Sequence, residues 1–289
     1  SRVGGPVLGV THLVLGGGDP VRGTGGRVRG LLVRAGELVR RGAKVVLCAR
    51  RTELLEKVAA ELRSAGGSAI AVACDVTKDG DPEAAVARAV AEFGRLDTVL
   101  ANAGFAIAGR LEALTLEDYR RQLETNLFGT IRTLKAALPE LKKTRGRIGA
   151  VGSVNGFIGT PATSAYCASK FAVRGLCDAI RPELKPFGVS VTHIAPGFVA
   201  SEIRHKDNRE VVHASSKDPV PAWLVASAES AANEIVNALS RRKREQVVTF
   251  HGKVFVFLER HLSWLVARLV GVADADQRAD RKWEAKAPG

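Results

Sequence analysis

AKVVLCARRTELLEKVAAELRSAGGSAIAVA, residues 43–73, reads as strand, helix and strand in succession. Ala43 to Cys48 is a short, nearly continuous apolar run rich in valine, as expected of a strand buried on both faces. From Thr52 to Ser64 the period changes. Leu54, Leu55, Val58, Ala59 and Leu62 fall on one helical face, and Gly66 and Gly67 stop the helix before Ser68 to Ala73 begins a second strand. Strand, helix and strand in succession is the pattern expected of a βαβ unit with a parallel sheet.

The same alternation continues outward from this unit. Asp81 and Pro82 open a helix, as cap and first position, that runs to Phe93; Leu96 to Ala101 is a strand. A long helix is predicted from Leu116 to Leu138, ending at Pro139, followed by strand Arg147 to Val151. The next helix reaches about Leu184, with a kink or early stop expected at Pro182. Strand Val189 to Ile194, helix Ala228 to Ser240 and strand Gln246 to Phe250 complete the pattern, and Val10 to Leu15 can serve as a first strand. No repeat or linker divides the chain, so the expectation is one α/β domain over residues 1–272, a doubly wound parallel sheet with helices on both faces, and a charged tail over 273–289.

With 289 residues and 46% hydrophobic content, the chain can bury a core without metals or disulfides. Cys48, Cys74, Cys167 and Cys177 form no C-x-x-C pair and have no histidines at metal spacing, so no metal site is expected and a reducing, cytoplasmic setting is. The net charge of +13 raises polyanions as partners. Its densest run, Arg241 to Arg244, ends a predicted helix, where cations complement the dipole, so no specific nucleic-acid site is expected.

Tyr166 and Lys170, in Y-C-A-S-K, stand four apart and share a helical face. An ammonium beside a phenol favours the phenolate, which would bring the phenol toward the working range of a general acid or base. Thirteen residues earlier Ser153 ends the strand Arg147 to Val151. A hydroxyl there faces the ligand crevice of an open α/β sheet and can bond a substrate oxygen where charge develops.

In these residues the chain resembles the short-chain dehydrogenase/reductase family, and further motifs agree. Asn102-Ala103-Gly104 matches the family's N-A-G after the fourth strand, Asn126 its helix asparagine, Asp75-Val76 the segment with its acidic residue near the adenine ring, and Pro196-Gly197 with Val199 and Ser201 its nicotinamide loop. The resemblance covers residues 43 to about 250 and implies a Rossmann-like fold that interconverts an alcohol and a carbonyl. It implies that Tyr166 exchanges the proton, Ser153 polarises the substrate oxygen, Lys170 holds the nicotinamide ribose, and Asn126 joins the site to solvent through a water. Arg50 and Arg51 follow the second strand with no carboxylate beside them, which favours NADP(H) over NAD(H), with Arg50 on the 2'-phosphate.

One part departs from the family. The first 42 residues hold twelve glycines and seven arginines, and the expected T-G-x-x-x-G-x-G is not among them. The nearest register keeps Gly23 and Gly25 but places Asp19 at the first glycine, where a carboxylate would repel a pyrophosphate. The segment is either a divergent, enlarged loop or a corrupted form of an ordinary one.

Residues 197–226 are expected to form the substrate loop. Residues 253–270 then carry Phe255, Leu258, Leu262, Leu265 and Leu269 at helical spacing, a face that would pack on the domain or a second subunit, shield an apolar substrate, or rest on a membrane as a peripheral contact. The leading expectation is an oxidoreductase acting on an apolar ketone, sterol-like alcohol or 3-oxoacyl group, as a homo-oligomer. The competing reading, a non-catalytic NADP(H)-binding or regulatory protein, has no need of Ser153, Tyr166 and Lys170 together.

Overall fold

Strand β2 (Lys44–Ala49), rich in valine and apolar on both faces, lies inside a seven-stranded parallel sheet. The computed structural model describes residues 11–15, 35–50, 52–199 and 224–271. The other strands are β1 (Thr11–Leu15), β3 (Ser68–Ala73), β4 (Thr98–Ala101), β5 (Arg147–Val151), β6 (Ser190–Pro196) and β7 (Glu245–Val248). They lie in the order β3-β2-β1-β4-β5-β6-β7, every pairing parallel. Because the chain leaves β1 toward β2 and later returns on its other side with β4, the order reverses there, and a ligand crevice opens beyond the carboxyl ends of the strands.

Alternate residues of β2 enter opposite layers. Val46 and Cys48 face helices α3 (Asp81–Phe93), α5 (Gly129–Thr144) and α6 (Ser164–Leu184). Val45 and Leu47 face α1 (described over residues 35–40), α2 (Thr52–Ser64) and α7 (Ala228–Ser240). Sequence and structure agree on α2, α7, β3 and β5 to the residue.

Four expectations change in the structure. Helix α3 begins at Asp81 with Gly80 as its cap, and the Asp81 carboxylate instead accepts the Asp75 amide at 2.8 Å. The predicted 116–138 helix is α4 (Leu116–Leu123), a π-helical turn over Glu124–Phe128, and α5, which runs through Pro139 to Thr144. Pro139 is tolerated because it and Lys135, whose carbonyl loses its donor, both lie on the solvent side. Likewise α6 continues through Pro182 to Leu184 without an early stop. Finally β7 ends at Val248, and the expected 253–270 helix is two: α8 (Phe250–His261) and α9 (residues 263–271), broken where Leu262 leaves helical geometry.

Candidate active site

Strand β5 delivers Ser153. The Gly152 amide bonds the Ile194 carbonyl at 2.7 Å, the last ladder contact before Ser153 turns out in extended conformation. Ser153 Oγ accepts the Asn155 amide at 3.1 Å and so caps the short turn Val154–Gly156. That turn presses on helix α6, where a Cβ at Gly156 would stand 2.8 Å from the Lys170 carbonyl oxygen. The hydroxyl of Ser153 is thereby held against the helix that bears Tyr166, and the two side chains hydrogen-bond.

Lys170 is buried one turn further along α6, its Nζ donating to the Val151 carbonyl at 2.9 Å and standing 5.7 Å from the Tyr166 ring centroid. The expected lowering of the phenol does not occur. Burial raises the Tyr166 phenol above its ordinary value, the bond from Ser153 offsets only part of that, and the Cys167 thiol adds to it. Lys170 is itself pushed down to about 8 by burial, which weakens the cation meant to stabilise a phenolate.

Asn126 lies in the π-helical turn and is buried. Its Oδ1 accepts the Phe105 amide at 3.1 Å; its Nδ2 donates to the Phe105 carbonyl at 3.0 Å and to Ser169 Oγ at 2.9 Å. Ser169 in turn donates to the Tyr166 carbonyl at 2.7 Å. The carboxamide therefore ties the loop after β4 to the helix of Tyr166. Gln122, one turn earlier, does the same work, donating to the Phe105 carbonyl and accepting the Ile107 amide, each at 2.7 Å. Sequence reading missed Gln122, although two amide residues at i and i+4 were the available signal.

The remaining expected residues gather at the same edge. Asn102 follows β4, and a Cβ at Gly104 would lie 3.1 Å from Asn126 Oδ1 and 3.5 Å from Lys170 Nζ, so the N-A-G turn borders the lysine. Arg50 follows β2 and Asp75 follows β3 closely enough for their charges to interact. Burial would raise the Asp75 carboxyl, but two bonds from Thr77, with Arg50 and Lys78 nearby, hold it below the ordinary carboxylate value. Val76 is buried in the core against Gly129. Pro196 ends β6, and Gly197 has no room for a side chain: a Cβ would meet Thr249 Oγ1 at 2.4 Å and His251 Nε2 at 2.6 Å.

His251 accepts the Phe198 amide at 2.9 Å, and Val199 pairs with Ala226, so the start of α8 buttresses this turn. Neither Thr249 nor His251 carried a signal in the sequence. Gly23, Gly25, Ser201, most of the 197–226 loop and the 273–289 tail lie outside the described residues.

His193 was also missed. It sits on β6 behind Ser153, 2% exposed, and neither ring nitrogen has a hydrogen-bond partner among the described residues. Burial pushes its imidazole down to about 4, with Arg174, Lys170 and Arg181 reinforcing the shift and Asp178 opposing it. Glu245 Oε2, at 3.9 Å from Nδ1, does not reverse that balance. A base depressed in the fold costs nothing above the unfolded value near 6.5, and stability is lost as pH falls from there toward 4, by about 3 kcal/mol in total. Urea unfolding of His193→Leu should therefore show a shallower fall in stability across that window than the wild type. Parallel curves would remove His193 as the cause.

A family model described as short chain dehydrogenase matches residues 30–212. The match begins beyond Gly23 and Gly25. Over 217 residues the chain is 32% identical to dehydrogenase/reductase SDR family member 7B of Bos taurus, covering 72% of this chain and 66% of that protein. It is 33% identical over 215 residues to 11-beta-hydroxysteroid dehydrogenase A of Sesamum indicum, with 72% and 62% covered. An uncharacterized oxidoreductase of Bacillus subtilis (strain 168) is 34% identical over 248 residues, with 83% and 67% covered. The matched stretch thus spans about two thirds or less of the first two relatives' lengths. With a parallel sheet, a strand-end serine bonded to a tyrosine and a lysine one turn on, the chain belongs to the short-chain dehydrogenase/reductase family of oxidoreductases.

Proposed function

We propose that this chain is an NADP(H)-dependent oxidoreductase that interconverts an apolar alcohol and its ketone or aldehyde, with Tyr166 as general acid and base. The observation that carries this reading is the hydrogen bond between Ser153 and Tyr166, with Lys170 buried one turn on, at the carboxyl edge of the sheet. With its pKa raised by burial, the Tyr166 phenol keeps its proton at neutral pH. The resting site is therefore primed to donate a proton to a carbonyl oxygen, which Ser153 also orients. Asn126 and Gln122 act as positioning residues, holding the loop after β4 against α6.

The residues present fit a nicotinamide dinucleotide. Gly104 leaves a cradle beside Lys170, whose ammonium has three donors and spends one on Val151, so that others suit ribose hydroxyls. Arg50 and Asp75 would hold the adenosine end, with Arg50 pairing a 2'-phosphate. Bound there, the nicotinamide supplies or accepts the hydride. An apolar substrate is supported by the hydroxysteroid dehydrogenase names of several relatives.

A panel of steroid, aliphatic and 3-oxoacyl ketones, read by NADPH oxidation, tests the activity. In the same assay Arg50→Asp should lower kcat/KM with NADPH by roughly 10- to 100-fold while changing the NADH value far less, because a carboxylate repels the phosphate yet accepts a bond from a hydroxyl. Equal losses with both would show that Arg50 does not read that phosphate.

A further inference from the structure

Helices α8 and α9 use one side to pack on the domain and leave the other uncovered by the described residues. Val256 and Val266 are buried with Phe157, Ile158 and Ala195, and Leu258 and Val270 pack against the same cluster. These residues satisfy the docking onto the body. Of the face expected from the sequence, Leu258 packs against this cluster, whereas Phe255, Leu262 and Leu269 are exposed, and the helix breaks at Leu262.

What remains outside is large and apolar. Phe250, Val254 and Phe257 stand at i, i+4 and i+7 of α8, with His261 one turn further against the Phe257 ring at 4.5 Å. Phe250 is 81% exposed, Phe257 59% and, on α9, Trp264 66%. Of the thirteen exposed large hydrophobic residues described, seven lie between Phe250 and Leu269. Scattered apolar residues on a surface need no explanation, but a helical stripe of them marks a surface meant to be covered.

We infer that this face docks on an anionic lipid bilayer as a peripheral contact. Phenylalanines along one face of a helix, with a tryptophan on the helix that follows and cations alongside, suit a headgroup layer. Lys253, Arg260 and Arg268 are exposed beside the stripe. The neighbouring carboxylates Glu234 and Glu245 are each engaged by one of these cations, at 2.8 Å and 2.6 Å. Through Glu245, the far end of α8 also adjoins the exposed basic run Arg241 to Arg244. The exposed cations along this face and in the adjoining basic run attract phosphatidylglycerol or phosphatidylserine headgroups. No helix among the described residues is long and apolar enough to cross a membrane, and the contact needs none. The stripe begins beside the Gly197–Phe198 turn, where His251 stacks on Phe198 at 5.2 Å, so docking would bring the carboxyl edge of the sheet close to the lipid surface.

Co-sedimentation of the full chain with phosphatidylcholine vesicles holding roughly a third phosphatidylglycerol tests this. The wild type should pellet with these vesicles. Phe250→Ser, Phe257→Ser and Trp264→Ser combined should weaken partitioning by about tenfold or more while leaving the thermal melt unchanged, since all three side chains are exposed. A wild type that stays in the supernatant overturns the inference. So does equal binding by wild type and triple variant, which would mean attraction by charge alone. A wild-type dimer in light scattering that the triple variant splits, with no vesicle binding, assigns the face to a second copy and overturns it as well.

Discussion

Tyr166→Phe should yield a folded protein whose turnover is lower by ~100-fold or more. The substitution removes one hydroxyl and leaves the ring in place. Ser153 keeps its bond from the Asn155 amide, Lys170 keeps its bond to the Val151 carbonyl, and Asn126 still reaches Ser169, so of the contacts that shape the site only that between Ser153 and the phenol is given up. What is lost is the proton that burial keeps on Tyr166. The loss should fall on kcat, with NADPH affinity nearly unchanged, because the cofactor contacts proposed for Arg50, Asp75 and Lys170 remain. Steady-state kinetics with a cofactor titration would check both halves. Near-normal turnover would sink Tyr166 as the acid.

The second large effect is expected at Gly152→Ala. A Cβ there would stand 2.1 Å from His193 Nε2, far inside contact distance. His193 has little room to yield: it is buried, with the Phe157 ring 5.6 Å away on one side and β7 on the other. Overpacking of this kind costs about 1–3 kcal/mol or more, and here the strain falls on the residue before Ser153, so turnover should drop along with the denaturation midpoint. His193→Ala in the same chain opens the space. The double variant should then lose less than the two single losses added together, by roughly 0.5–3 kcal/mol, and regain turnover over Gly152→Ala alone. Strictly additive losses would mean that the clash with His193 is not what Gly152 avoids.

Much of this protein was legible from local pattern. A period change from two to 3.6 residues marks a strand giving way to a helix whatever surrounds it, so α2, α7, β3 and β5 came out of the sequence to the residue. Spacing along one helix likewise placed Tyr166 and Lys170 on one face, and the strand end placed Ser153 near them. The family match covers that part of the chain and begins at residue 30, beyond Gly23 and Gly25, where the sequence already displayed its departure.

Other features depend on distances across the fold, which no window of sequence contains. Sequence alone could say that Lys170 lies near Tyr166; only burial decides that the phenol is raised and the ammonium lowered, because desolvation is a property of everything packed around them. His193 meets Gly152 across a strand pairing, Asn126 and Gln122 reach a loop from a neighbouring helix, and Thr249 and His251 hold Gly197 from some fifty residues away. The α8–α9 face shows the contrast most directly. Periodicity marked residues 253–270 as helical, but the helix breaks at Leu262, and only packing against Phe157, Ile158 and Ala195 decided that Val256 and Val266 are buried while Phe255 and Leu269 remain exposed.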